Sequence, residues 1–163
     1  FCRRGFNIDS LTVSATNDPK ISRITVTLRG DEQALSQLIL QTERLEVTRQ
    51  IFELNPEKSL QRELLLLKVA CNSQNRAELR EISTVYKAKI IDLSPDSMVF
   101  ELTGKPDKVD AFLNMFSGYE ILELCRTGVT ALERGGKHQH MQKPVQEVGE
   151  AQLPLPGTRC PQP

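Results

Sequence analysis

The chain lacks tryptophan altogether and carries only two histidines and two tyrosines in 163 residues. Both histidines, His138 and His140, fall near the C-terminus, so nothing before them offers an imidazole general base or a Ser-His or Cys-His nucleophile pair. A P-loop, a G-x-S-x-G elbow and a G-x-G-x-x-G fingerprint are missing too. The four cysteines, Cys2, Cys71, Cys125 and Cys160, are scattered singly, without disulfide-framework, redox or metal-ligand spacing. A reducing, cytoplasm-like compartment is the default for that pattern. No apolar run approaches the ~18 residues that a membrane helix needs. Charge of neither sign is in excess, with 21 Lys plus Arg against 21 Asp plus Glu, so the basic surplus expected of a nucleic-acid binder is absent.

What is there is a globular composition, 39% hydrophobic and 26% charged, enough for one or two small domains. The chain divides into a body and a tail. From Gly135 it reads Gly-Gly-Lys-His-Gln-His and then collects Pro144, Pro154, Pro156, Pro161 and Pro163. Residues 135–163 therefore read as a disordered tail, with a docking peptide for a partner as the alternative. Within the body, Cys71 and Cys125 read as small apolar residues inside strands. Glu63, Asp92 and Asp107 read as solvated or capping carboxylates.

The first half opens with Arg3-Arg4-Gly5, which suits the end of a helix: cations in its last turn and a left-handed glycine after it. The chain is thus expected to begin inside a fold, lacking that unit's first strand and most of its first helix. A strand starts at Asn7, and Asn17-Asp18-Pro19 turns the chain into a second one. Ser22 to Leu28 alternates, placing Ile24, Val26 and Leu28 on one face and Arg23, Thr25 and Thr27 on the other, as in a half-buried strand. Asp31 can cap a helix carrying Leu35, Leu38, Ile39 and Leu45. Glu46 to Leu54 returns as a strand. Residues 1–54 form the first domain and 55–61 a linker.

The second domain, 62–134, opens with Leu64-Leu65-Leu66-Leu67-Lys68-Val69. Leu79, Ile82 and Val85 mark a helix, and two strands follow, Lys89 to Leu93 and Met98 to Thr103. Pro106 fits the first turn of a helix whose Val109, Phe112, Leu113 and Phe116 make an i, i+3, i+4, i+7 stripe. Tyr119 to Leu132 supplies the last strand. The order is βαββαβ, and the halves overlay: Leu28-Arg29-Gly30 matches Leu102-Thr103-Gly104, and Glu46-Val47 matches Glu120-Ile121. The expected fold is α+β, two ferredoxin-like sandwiches in tandem with the first incomplete. Leu64 to Leu67 is apolar at every position, which predicts cover on both faces of that strand, from another domain or subunit, or from a loop.

The same strand order serves RNA-recognition modules. Val99-Phe100-Glu101-Leu102 lacks the glycine and second aromatic of their base-stacking signature. The remaining reading is a ligand-responsive or partner-binding domain. A strand start at Asn7-Ile8 puts an amide and exposed backbone groups beside an apolar side chain, the mixture that a small apolar amino acid requires. Asn7 equally suits a plain strand-start position.

The run Arg4-Gly5-Phe6-Asn7-Ile8-Asp9-Ser10-Leu11-Thr12-Val13, the Asn17-Asp18-Pro19 turn and Ser22-Arg23 resemble the small, regulatory subunit of acetolactate synthase. The likeness continues through Arg62-Glu63, Ile90-Ile91-Asp92 and Arg126-Thr127-Gly128-Val129, to about Gly135. The resemblance implies an N-terminal ACT domain, an ACT-like C-terminal domain, and a non-catalytic role in branched-chain amino-acid synthesis. It implies a homodimer, valine as allosteric effector, and Asn7 and Ile8 as effector-binding residues. The opposing loop of that site has no counterpart in this sequence. The implied partner is the large catalytic subunit, which carries thiamine diphosphate, magnesium and FAD, in the cytoplasm or, in a photosynthetic eukaryote, a plastid. Neither nucleic acid nor a membrane is implied. The alternative is an ACT-type amino-acid sensor acting on another enzyme.

Overall fold

The computed structural model describes residues 7–136. β1 (Asn7–Ala15) and β2 (Ser22–Arg29) pair as an antiparallel hairpin. Its connection is held by the Thr16 hydroxyl, which donates to the Ile21 carbonyl at 2.9 Å, and by the Asp18 carboxylate, which accepts from the Lys20 amide at 2.9 Å. These are the local bonds that make Asn17-Asp18-Pro19 a turn. α1 (Glu32–Glu43) starts where the sequence predicts, with Asp31 Oδ1 accepting from the Ala34 amide at 2.7 Å. Leu45 lies beyond the helix end and is exposed.

The strand expected at Glu46 to Leu54 does not form; residues 44–58 run as turns and irregular chain. The second half shows why. There the last strand of the unit is held by the first, and no strand among the described residues occupies that place in the first half. A segment with no neighbour has no ladder to satisfy its amides and carbonyls.

The second half begins with β3 (Ser59–Ala70), which takes in the last three residues of the expected linker. α2 (Arg76–Tyr86), β4 (Lys89–Leu93), β5 (Ser97–Gly104), α3 (Pro106–Asn114), β6 (Ile121–Arg126) and β7 (Thr130–Glu133) follow. The antiparallel sheet runs β4-β5-β3-β6, with β7 also on β3. This is the ferredoxin-like order expected of βαββαβ. The central β3 aligns Leu65 with Leu102, Leu67 with Phe100 and Val69 with Met98, all buried. Leu79 and Ile82 of α2 and Val109 and Phe112 of α3, with Phe116 just beyond it, close over that face. Phe112 and Phe116 meet edge-on at 4.9 Å between centroids, and both lean on Phe100. With Phe100 buried in this way, the central strands offer no aromatic platform for stacking a base.

Four readings change in detail. Tyr119 to Leu132 is two strands, because Gly128 adopts φ +84° and breaks the extended run between β6 and β7. Cys71 is buried as expected, but Cys125 lies on the outer strand β6 and is exposed. Val85 points away from the core, and Tyr86 packs against it instead. Leu66 keeps 37% of its surface in solvent, so among the described residues the leucine run is covered on one face only. That open face carries two ion pairs, Lys68–Glu123 at 3.1 Å and Lys89–Glu101 at 3.7 Å.

The hairpin differs most. Its apolar face, with Leu11 opposite Val26 and Val13 opposite Ile24, stands in solvent, and Ile24 is 60% exposed. The polar face of Ser10, Thr12, Arg23, Thr25 and Thr27 is the half-buried one. It turns inward because the second half supplies backbone partners for it. Thr12 donates to the Thr127 carbonyl at 3.3 Å, and Arg23 donates to the Ala131 carbonyl at 3.0 Å.

Candidate effector site

β1 opens with Asn7 directly opposite Arg29, and Ile8 follows opposite Leu28. Strand alternation sends the two side chains to opposite faces, Asn7 exposed and Ile8 half-buried. The register then slips between Ile8 and Ser10. Such a bulge re-aims the side chain at the extra residue. Here the Asp9 carboxylate accepts from Arg29 Nε at 3.0 Å.

The strand start therefore gathers an amide, a carboxylate and a guanidinium on the exposed side of one end of the hairpin, with the apolar Ile8–Leu28 pair on the opposite, half-buried side. A free amino acid carries an ammonium, a carboxylate and a side chain, and each has a chemical counterpart there. The Asp9–Arg29 bond is solvent-exposed, so holding it closed contributes little stability and either partner can turn to a ligand. Asp9 and Arg29 were not legible as candidates, because only the strand register brings Arg29 across from Asn7. Arg3, Arg4 and Gly5, read as a helix end, lie outside the described residues, as do His138, His140 and nearly all of the expected tail.

The Arg126-Thr127-Gly128-Val129 motif has a structural part. Glu63 is not a solvated carboxylate: 4% of its side chain is exposed, and Arg126 grips it bidentately, Nε to Oε1 at 2.7 Å and Nη2 to Oε2 at 2.8 Å. Arg126 Nη1 also donates to Asp110 of α3 at 2.7 Å. The bond to Glu63, helped by Asp110 and opposed in part by burial, holds the guanidinium well above its already high ordinary pKa. Thr127 is tied to β3: its amide donates to the Leu64 carbonyl at 3.1 Å, and its hydroxyl accepts from the Leu64 amide at 3.1 Å. The turn after β6 is thus fixed to the core on one side and meets the hairpin on the other.

Comparison with known proteins adds a consistent set of likenesses. Residues 1–50 match a family model described as the AHAS small subunit-like ACT domain, and residues 62–135 match one described as the small subunit of acetolactate synthase. A probable acetolactate synthase small subunit from Archaeoglobus fulgidus is 42% identical over 137 residues, covering 84% of this chain and 86% of the relative. The acetolactate synthase small subunit of Haemophilus influenzae is 36% identical, covering 85% of each. The crystal structure of the acetolactate synthase small subunit from Thermotoga maritima superposes with a TM-score of 0.75 at 32% identity, covering 84% of this chain and 86% of that one.

Proposed function

Because the chain belongs to the acetolactate synthase small-subunit family, we propose that it is the non-catalytic regulatory subunit of that enzyme. In this reading it activates the large catalytic subunit and makes it sensitive to valine, within branched-chain amino-acid biosynthesis in the cytoplasm. Thiamine diphosphate, magnesium and FAD belong to the partner, and valine is this subunit's own ligand. Two copies associate through their N-terminal domains, and the strand start at Asn7 and Ile8 contributes to the effector site.

The observation that carries the reading is the in-order tiling of the chain by two family models, both of the same small subunit. The strand start supports the effector, since it offers an amide and both signs of charge at one exposed end of the hairpin. The mechanism is linkage: valine favours one arrangement of the N-terminal pair, and that arrangement couples differently to the catalytic subunit. Co-expression tests it. A tagged version of the protein brings down the cognate thiamine-dependent subunit; recovery of a different enzyme instead supports the alternative, an amino-acid sensor serving another reaction.

A further inference from the structure

We infer that the turn Thr127-Gly128-Val129 is the relay through which the N-terminal strand start acts on the C-terminal domain, an inference that rests on the regulatory reading above. Ser10 is three residues along β1 from Asn7, just past the bulge at Asp9. Its hydroxyl accepts from the Val129 amide at 3.3 Å and shares a hydrogen bond with Thr27 on β2. Thr12, the next residue on that face, donates to the Thr127 carbonyl. Between these two bonds Gly128 has φ +84°, and a Cβ there would lie 2.9 Å from Thr12 Oγ1 and 3.3 Å from Ser10 Cβ. The hairpin rests on the glycine backbone with no room for a side chain.

The turn is poorly able to absorb a displacement of the hairpin. Arg126 before it is locked to Glu63 and Asp110, Thr127 is bonded to Leu64, and Val129 beyond it is buried. A change in the pitch of β1, as a ligand engaging the bulged strand start would produce, passes to β3 and α3 or breaks the bonds at Val129 and Thr127. Ser10, Thr12 and Arg23 all reach across the junction by hydrogen bonds to backbone groups, each of modest net strength, so two arrangements can be close in energy.

The experiment has two readouts on the protein reconstituted with its catalytic subunit. First, amide hydrogen exchange is followed across residues 127–131 with and without valine; altered protection of the Val129 amide is expected, and unchanged exchange overturns the relay. Second, the double variant Ser10→Ala, Thr12→Val is assayed for valine binding by calorimetry and for valine inhibition. Binding within about threefold of the parent, with the inhibition midpoint raised roughly tenfold, is the expected separation. Equal loss of binding and inhibition makes the junction merely structural and overturns the relay; so does no change in either. If the unsubstituted protein neither binds valine nor changes the rate of the catalytic subunit, the regulatory reading itself fails, an outcome distinct from failure of the relay.

Discussion

Arg126 of β6 and Glu63 of β3 are joined by two parallel hydrogen bonds, although Glu63 is almost entirely out of water. A carboxylate can be buried there only because the guanidinium satisfies both its oxygens. Asp110 then holds the outer nitrogen of Arg126, so β3, β6 and α3 meet at one cation.

Arg126→Met is expected to destabilise the protein by about 3 kcal/mol, the lower end for breaking a buried pair, since 31% of the Arg126 side chain already faces solvent. Urea unfolding measures it. Adding Glu63→Gln to that variant removes the stranded charge and recovers part of the loss. An Arg126→Met variant of parental stability contradicts the burial argument.

Gly128→Ala is expected to cost about 1–2 kcal/mol from the left-handed backbone alone. The new Cβ also presses on Thr12 Oγ1. Gly136→Ala is the control, because nothing lies within 4 Å of a Cβ there. Thermal melting of both variants separates the crowded glycine from the open one.

Tyr119 sets an alkaline limit. A hydrogen bond to Glu78, then burial and the charge of Glu78, push its phenol up to about 12. The folded state therefore holds this proton more tightly than the unfolded chain. The resulting stabilisation is complete below pH 10 and is lost as pH rises from about 10 to 12. Chemical denaturation across that window should show a steeper loss of stability in the parent than in Tyr119→Phe. Equal slopes contradict the shift.

The C-terminal domain was legible because its pattern is local. The stripe Val109, Phe112, Phe116 and the alternation of Met98, Phe100 and Leu102 each define one face, and that face is buried. The hairpin alternates as expected, but the same kind of pattern did not say which face docks. Ile24 and Val26 alternate as a core face does, yet the face that docks is the one bearing Ser10, Thr12 and Arg23, whose partners are carbonyls and an amide more than a hundred residues away. Periodicity reports which face is apolar; it carries no information on a backbone partner across the chain. The strand expected at Glu46 to Leu54 failed for a related reason: its residues suit a strand, but the neighbour that would pair with it is not among the described residues. At the strand start, the positions of Asn7 and Ile8 on β1 were readable from the sequence, whereas the pairing of Asp9 with Arg29 needed the register.

Asn7→Ala tests the strand start itself. If the amide binds valine, its loss removes one hydrogen bond to a charged ligand group, roughly 1.5–3 kcal/mol, and weakens the valine response about tenfold to hundredfold. Activation of the catalytic subunit stays largely intact. A purely structural Asn7 predicts a lower melting temperature and joint loss of activation and inhibition. A valine titration of the reconstituted enzyme, with melting of the same variant, separates the two. An unchanged valine midpoint removes Asn7 from the site.

The regulatory reading is tested most directly by acetolactate formation from pyruvate in three reactions: the cognate catalytic subunit alone, the protein alone, and the two together with and without valine. The expected result is no turnover by the protein alone, a faster catalytic subunit in its presence, and suppression of the combined activity by valine but not of the catalytic subunit by itself. Turnover by the protein alone, or a catalytic subunit whose rate and valine response are the same with and without it, contradicts the reading.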